Sequence, residues 1–179
     1  PEPQPDTTPE PADSTQPPEP PEEQPEEQPE ADPELDTPEE SDASYAGSVV
    51  VVGDRAMEIP TRLDDLITSY ADAIDNLASA MGPDVRTISL ITPNGGEFYS
   101  PESLHTGDHS QKDMIEFCYS QMDDKIITVD AYSKLRSHTD EYIYFRTDHH
   151  WTQLGAYYAY TAFCEAAGFE AVPLEQFQT

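Results

Sequence analysis

The composition changes abruptly near residue 44, and that boundary limits what this chain can fold into. Residues 1–44 hold 13 of the 18 prolines and contain no Lys, Arg, aromatic or β-branched aliphatic residue. Leu35 is their only large apolar side chain, and runs such as Pro21-Glu22-Glu23-Gln24-Pro25 are of low complexity. Such a segment cannot bury enough apolar surface to offset the entropy of ordering it. Its carboxylates repel one another and its prolines favour polyproline II, so it reads as a disordered, extended spacer. Residues 45–179 carry all 8 basic residues, both cysteines and the only Trp. That leaves 135 residues (179 − 44), the size of one domain with its own core.

Within the domain, strand-like and helix-like segments alternate. Ser48 to Gly53 is a continuous β-branched run closed by glycine and reads as a buried strand. Leu63, Leu66, Ile67, Tyr70, Ile74, Leu77, Ala78 and Met81 recur at helical spacing until Gly82-Pro83. Val85–Ile91 predicts a second strand. Ser110 followed by Asp113 has the form of a capping box opening a helix that buries Met114, Ile115, Phe117, Cys118 and Met122. Ile126–Val129 predicts a third strand, Tyr132–Leu135 a helical turn, and Tyr142–Phe145 a fourth strand. The last helix is expected over Thr152–Ala167, stopped by Gly168, with small residues at Gly155, Ala159, Ala162 and Ala166 for close packing. Continuous apolar strands alternating with helices predict an α/β fold: a parallel sheet covered on both faces. Cys118 and Cys164 lie at apolar helical positions and read as buried free thiols.

The chemistry concentrates at Arg146-Thr147-Asp148-His149-His150-Trp151, directly after the fourth expected strand. In extended backbone, residues i and i+2 share a side, so Asp148 and His150 converge while His149 points away. A carboxylate that fixes an imidazole's tautomer makes a general base. The plainer roles are that Asp148 caps the next helix, that His149 makes a structural hydrogen bond, and that Trp151 walls the site or packs. For Arg146 the default is an acidic partner. A metal site built from Asp148, His149 and His150, with His105 and His109, is the rival chemistry. Adjacent histidines rarely reach one ion in a regular segment, and no His-Glu-x-x-His or Cys-x-x-Cys pair exists, so neither metal nor cofactor is expected. The formal charge of −29 disfavours nucleic acid as a partner.

The stretch Tyr142–Thr152 resembles the signature of the bacterial DHHW proteins. It is similar also to the Thr-Asp-x-His-Trp motif of the SGNH-like alginate O-acetyltransferases. Arg146, Thr147, Asp148, His150, Trp151, Thr152 and Gly155 carry that likeness, and Gly47–Glu58, Thr92-Pro93 and Glu97-Phe98-Tyr99 extend it across residues 46–179. The resemblance implies an SGNH-like three-layer fold with Asp148 and His150 as acid–base pair and Arg146, Thr147, His149 and Trp151 in support. It implies acetyl-ester chemistry, transferase or esterase, on a polysaccharide or other acylated glycan. It also implies a cell-envelope location, with a membrane or cell-wall tether upstream of residue 1. No Gly-x-Ser-x-Gly elbow is present, and Arg55 follows Gly53-Asp54 where a Gly-Asp-Ser motif would place the nucleophile. In the alginate O-acetyltransferases the nucleophilic Ser lies downstream of the Asp-x-His element, so the expectation is a fragment that is inactive alone. The alternative is a non-catalytic polysaccharide-binding or assembly module of the same fold.

Overall fold

The structure is a computed structural model that describes residues 37–177. The expectation of disorder falls mainly on residues 1–36, which lie outside the described residues. The boundary itself sits earlier than composition suggested. Glu40–Asp42 form a 3-10 turn, and Ala43 and Ser44 begin strand β1 (Ala43–Ala46). They are ordered because β1 pairs antiparallel with β2 (Val49–Val52) in the register Ala46↔Val49. β2 in turn pairs antiparallel with β3 (Arg55–Glu58) in the register Val52↔Arg55. Both connections are two-residue loops opening on a positive-φ glycine, Gly47 at +65° and Gly53 at +57°. Glycine adopts that backbone without strain, which makes it a natural first residue of a tight hairpin.

The apolar run at Val49–Val52 is therefore not part of a parallel sheet. A two-residue loop can join only antiparallel neighbours, because a parallel pair needs a long crossover. The parallel sheet is small: β4 (Ile88–Leu90) pairs with β5 (Ile127–Val129), linked through α2 (Gly96–Tyr99) and α3 (Gln111–Gln121). The described residues thus form a mixed α/β fold with one antiparallel and one parallel sheet. The fourth expected strand does not form. Tyr142–Phe145 instead leads into a turn at 146–150, after which the chain runs back along it with a single antiparallel bridge from Tyr144 to Trp151.

The helices follow the sequence closely. α1 (Asp64–Met81) packs on α3, burying Ala71 against Cys118, Met122 and Ile126. Leu63, Leu66, Tyr70, Leu77 and Met81 stay exposed beside that face. Both cysteines are free and buried. α4 (Ala131–Arg136) leads to the turned segment, and α5 (Gln153–Ala167) lays Ala159 and Ala162 against Val129 with Ile88 and Leu90 alongside. Gly168, at φ +74°, closes α5 with its N–H on the Glu165 carbonyl, followed by Phe169 N–H on Cys164. Among the described residues no helix is long and apolar enough to cross a membrane.

Candidate functional site: an aspartate–histidine pair on a hairpin tip

Residues 143–152 form a tight hairpin. Thr152 N–H donates to Ile143 O at 2.9 Å and Phe145 N–H donates to His150 O at 3.2 Å. Arg146 to His149 make the exposed tip. The stem is anchored from below: Ile143 and Tyr144 are fully buried, and the Tyr144 hydroxyl donates to Pro93 O at 2.7 Å. Trp151 packs between the core around Phe98 and Tyr144 and the core beneath α5.

The tip is a bend rather than the extended segment the sequence suggested. Asp148 Oδ1 accepts from its neighbour's backbone, His150 N–H, at 2.8 Å, and lies 2.5 Å from His150 Nδ1. Those contacts, the backbone one first, hold the Asp148 carboxyl below the usual aspartate range. Asp148 does not cap α5. Thr152 does so, with Oγ1 accepting from Gly155 N–H at 3.3 Å and donating to Tyr142 O at 2.7 Å. The carboxylate is thereby left to His150, whose backbone N–H and imidazole it meets through the bend and not through the side-sharing of extended backbone.

His149 departs from the alternation. Its ring centroid lies 4.2 Å from that of His150, and its Nδ1 lies 3.7 Å from Glu58 Oε2 on β3. The bends at 146–150 rotate His149 back toward its neighbour, which strand geometry would forbid. One ligand-capable atom from each of Asp148, His149 and His150 lies within 4.8 Å of the others. His105 and His109 do not belong to that cluster. His105 Nε2 meets Ser100 Oγ at 3.2 Å, and His109 Nδ1 meets Pro60 O at 3.0 Å. Thr147 is exposed at the tip.

The β2–β3 hairpin holds this tip. Ala56 N–H donates to Arg146 O at 2.8 Å, and Arg146 Nη1 pairs with Asp54 Oδ2 at 2.5 Å, the acidic partner expected for it. Sequence reasoning missed this link because the partners are 92 positions apart. It also missed Glu97, 2 % exposed, whose carboxylate accepts from Gln111 and Lys112 N–H at the start of α3.

Two serine hydroxyls meet partly buried histidines among the described residues, Ser137 on His138 Nδ1 at 3.0 Å and Ser100 on His105, and Ser100 is poorly placed as a nucleophile. It is 1 % exposed and donates to Gly96 O at 2.6 Å, so it can only accept from His105.

These features define a small α/β domain that presents a carboxylate–imidazole pair on a buttressed hairpin tip. Residues 29–179 match the family described as DHHW protein, and the chain belongs to that family. It is similar to the crystal structure of a DHHW family protein from Eubacterium siraeum DSM 15702, with 32% identity and a TM-score of 0.68. The match covers 76% of this chain and 46% of that one, so the chain spans less than half of that relative's length. None of the curated proteins matches it.

Proposed function

We propose that this chain supplies the general-base half of an SGNH-like active site that moves or removes acetyl esters on a cell-envelope polysaccharide. What supports the reading is the placement of Asp148 on His150 Nδ1, with both side chains exposed and Thr152 relieving Asp148 of capping. A carboxylate on Nδ1 keeps the proton there and leaves Nε2 as the base. His150 Nε2 then takes the proton of a serine hydroxyl as its oxygen attacks the acetyl carbonyl. Collapse expels the sugar alkoxide, which leaves with that proton, and the serine holds the acetyl group. A second sugar hydroxyl, or water, gives its proton to Nε2 as it attacks the acetyl-serine; the serine Oγ–acyl bond breaks, the serine leaves with that proton, and the acetyl departs on the acceptor. Among the described residues no serine hydroxyl is seen on His150, so this reading needs a serine brought to it from elsewhere. The SGNH-like reading of the fold rests on the motif's likeness to the alginate O-acetyltransferases.

The test is acetyl transfer and release by the native protein on an acetylated polysaccharide, beside the 179-residue chain and its His150→Ala variant on an activated acetyl ester. The native protein is expected to turn over, with activity lost in His150→Ala, and the 179-residue chain to match its variant. Native activity indifferent to His150 would refute the assignment.

A further inference from the structure

The acid–base pair uses Asp148 and His150 and leaves His149 without a role, yet the bend brings all three together. Two imidazoles with centroids 4.2 Å apart, a carboxylate touching one and the Glu58 carboxylate 3.7 Å from the other make an N,N,O,O donor set. We propose that Asp148, His149 and His150, with Glu58 beside His149, form a binding site for a divalent transition-metal ion of the zinc class.

First, the sequence-based objection fails here: adjacent histidines cannot share an ion in a regular segment, but this tip is irregular. Second, the distances are within reach. A four-coordinate zinc ion with bonds near 2.1 Å keeps its ligand atoms about 3.4 Å apart. The three donor atoms of the tip already lie within 4.8 Å. All four side chains are at least half exposed, so small rotations close the gap without disturbing a core. Third, donor type and field agree. Imidazole with carboxylate selects zinc, cobalt, nickel or copper over magnesium and calcium, and a chain of formal charge −29 draws cations toward it.

The consequence for the base is chemical. An imidazole that binds a metal through Nδ1 carries its remaining proton on Nε2, the nitrogen that the proposed reaction needs free. Ion and proton acceptor are therefore alternative states of one loop, and a loaded tip is a silenced base. The binding claim stands apart from the ester reading, because its test reads no turnover.

The experiment is calorimetric titration of the chelator-treated 179-residue chain with Zn2+, paralleled by Co2+ as an absorbing probe. One ion per chain should bind with a dissociation constant of about 1 µM or tighter, giving visible d–d bands, and Mg2+ in excess should not displace it. His149→Ala and Glu58→Gln should each weaken binding by about tenfold or more, with unchanged circular dichroism. His138→Ala, a histidine stacked on Tyr158 away from the tip, should bind as wild type. Binding that is unchanged in His149→Ala, displaced by Mg2+, or weaker than about 1 mM would overturn the proposal. Binding without ester turnover by the native protein would leave the ion site standing and sink the enzymatic reading alone.

Discussion

At Gly155 an added Cβ would meet the Ile143 carbonyl oxygen at 2.3 Å and Trp151 Cβ at 3.0 Å. The oxygen is backbone and already accepts from Thr152 N–H, so it cannot swing away without opening the hairpin. Gly155→Ala is expected to cost about 1–3 kcal/mol by overpacking and to shift the His150 ring resonances. A wild-type unfolding midpoint with wild-type imidazole shifts would contradict that. The residues of the tip divide differently. On the proposed mechanism, His150→Ala and Asp148→Ala should lower kcat of the native protein by roughly 10⁴-fold, because that mechanism makes them the base and the group that orients it. His149→Ala should leave kcat nearly intact and act on ion binding. Steady-state rates for the three variants check this ranking, and a collapse of kcat in His149→Ala would reassign the base. That Asp148 and His150 touch was expected from i, i+2 spacing, but a bend and not extended backbone brings them together. The position of His149 was not legible, since it depends on bends fixed by β3, nearly a hundred residues away in the chain.

Helix α3 shows how an element's start is secured from elsewhere in the chain. Gln111 and Lys112 N–H donate to Glu97, Asp113 N–H donates to Ser110 Oγ, and Met114 N–H to Ser110 O. The serine cap could be read from Ser110 and Asp113 alone; the carboxylate could not, because Glu97 sits on the short helix α2 in another element. Burial raises the Glu97 pKa despite these hydrogen bonds. The sign follows from linkage: the folded state holds this proton more tightly than the unfolded one, so stability from this group falls as pH rises through the window above the ordinary glutamate value. Glu97→Gln removes that titration and leaves one helix N–H facing an amide that can accept only through its single oxygen. It is expected to cost about 1–3 kcal/mol, with a deficit larger near pH 4 than near pH 7. Urea denaturation at both pH values checks it, and a deficit that grows toward neutral pH would be evidence against it. Periodicity also located α1, but not which of its apolar residues would be buried. Ile67, Ala71, Ile74 and Ala78 face α3, whereas Leu63, Leu66, Tyr70 and Leu77 lie on the adjoining exposed arc. A helical repeat gives an apolar side and leaves its exact edge to the packing partner.

At the scale of the molecule, the compositional boundary and the structural boundary differ by a few residues, and the difference has a measurable consequence. Composition placed residues 43 and 44 in the spacer because Ala and Ser have no strand signature of their own. They are recruited by the register of a hairpin whose glycine, Gly47, lies three and four residues further on. The segment just before them is tied down as well: Glu40 accepts from the Tyr45 hydroxyl and from Ser103 Oγ. Removing residues 1–36, whose composition offers a single large apolar side chain, Leu35, should leave the unfolding midpoint of the domain unchanged. Removing residues 1–46 deletes β1 and should destabilise the fold by roughly 2–4 kcal/mol, at about 1 kcal/mol for each hydrogen bond of the ladder and the Glu40 tether. It also bares the edge of β2, a run of four valines, which is an invitation to aggregate. Thermal unfolding and light scattering of the two truncations against the full chain distinguish these outcomes. The β2–β3 hairpin holds the Asp148–His150 tip, so the longer truncation should also broaden the His150 resonances while the shorter leaves them as they are. Identical midpoints and spectra for both truncations would mean that β1 contributes nothing to the domain.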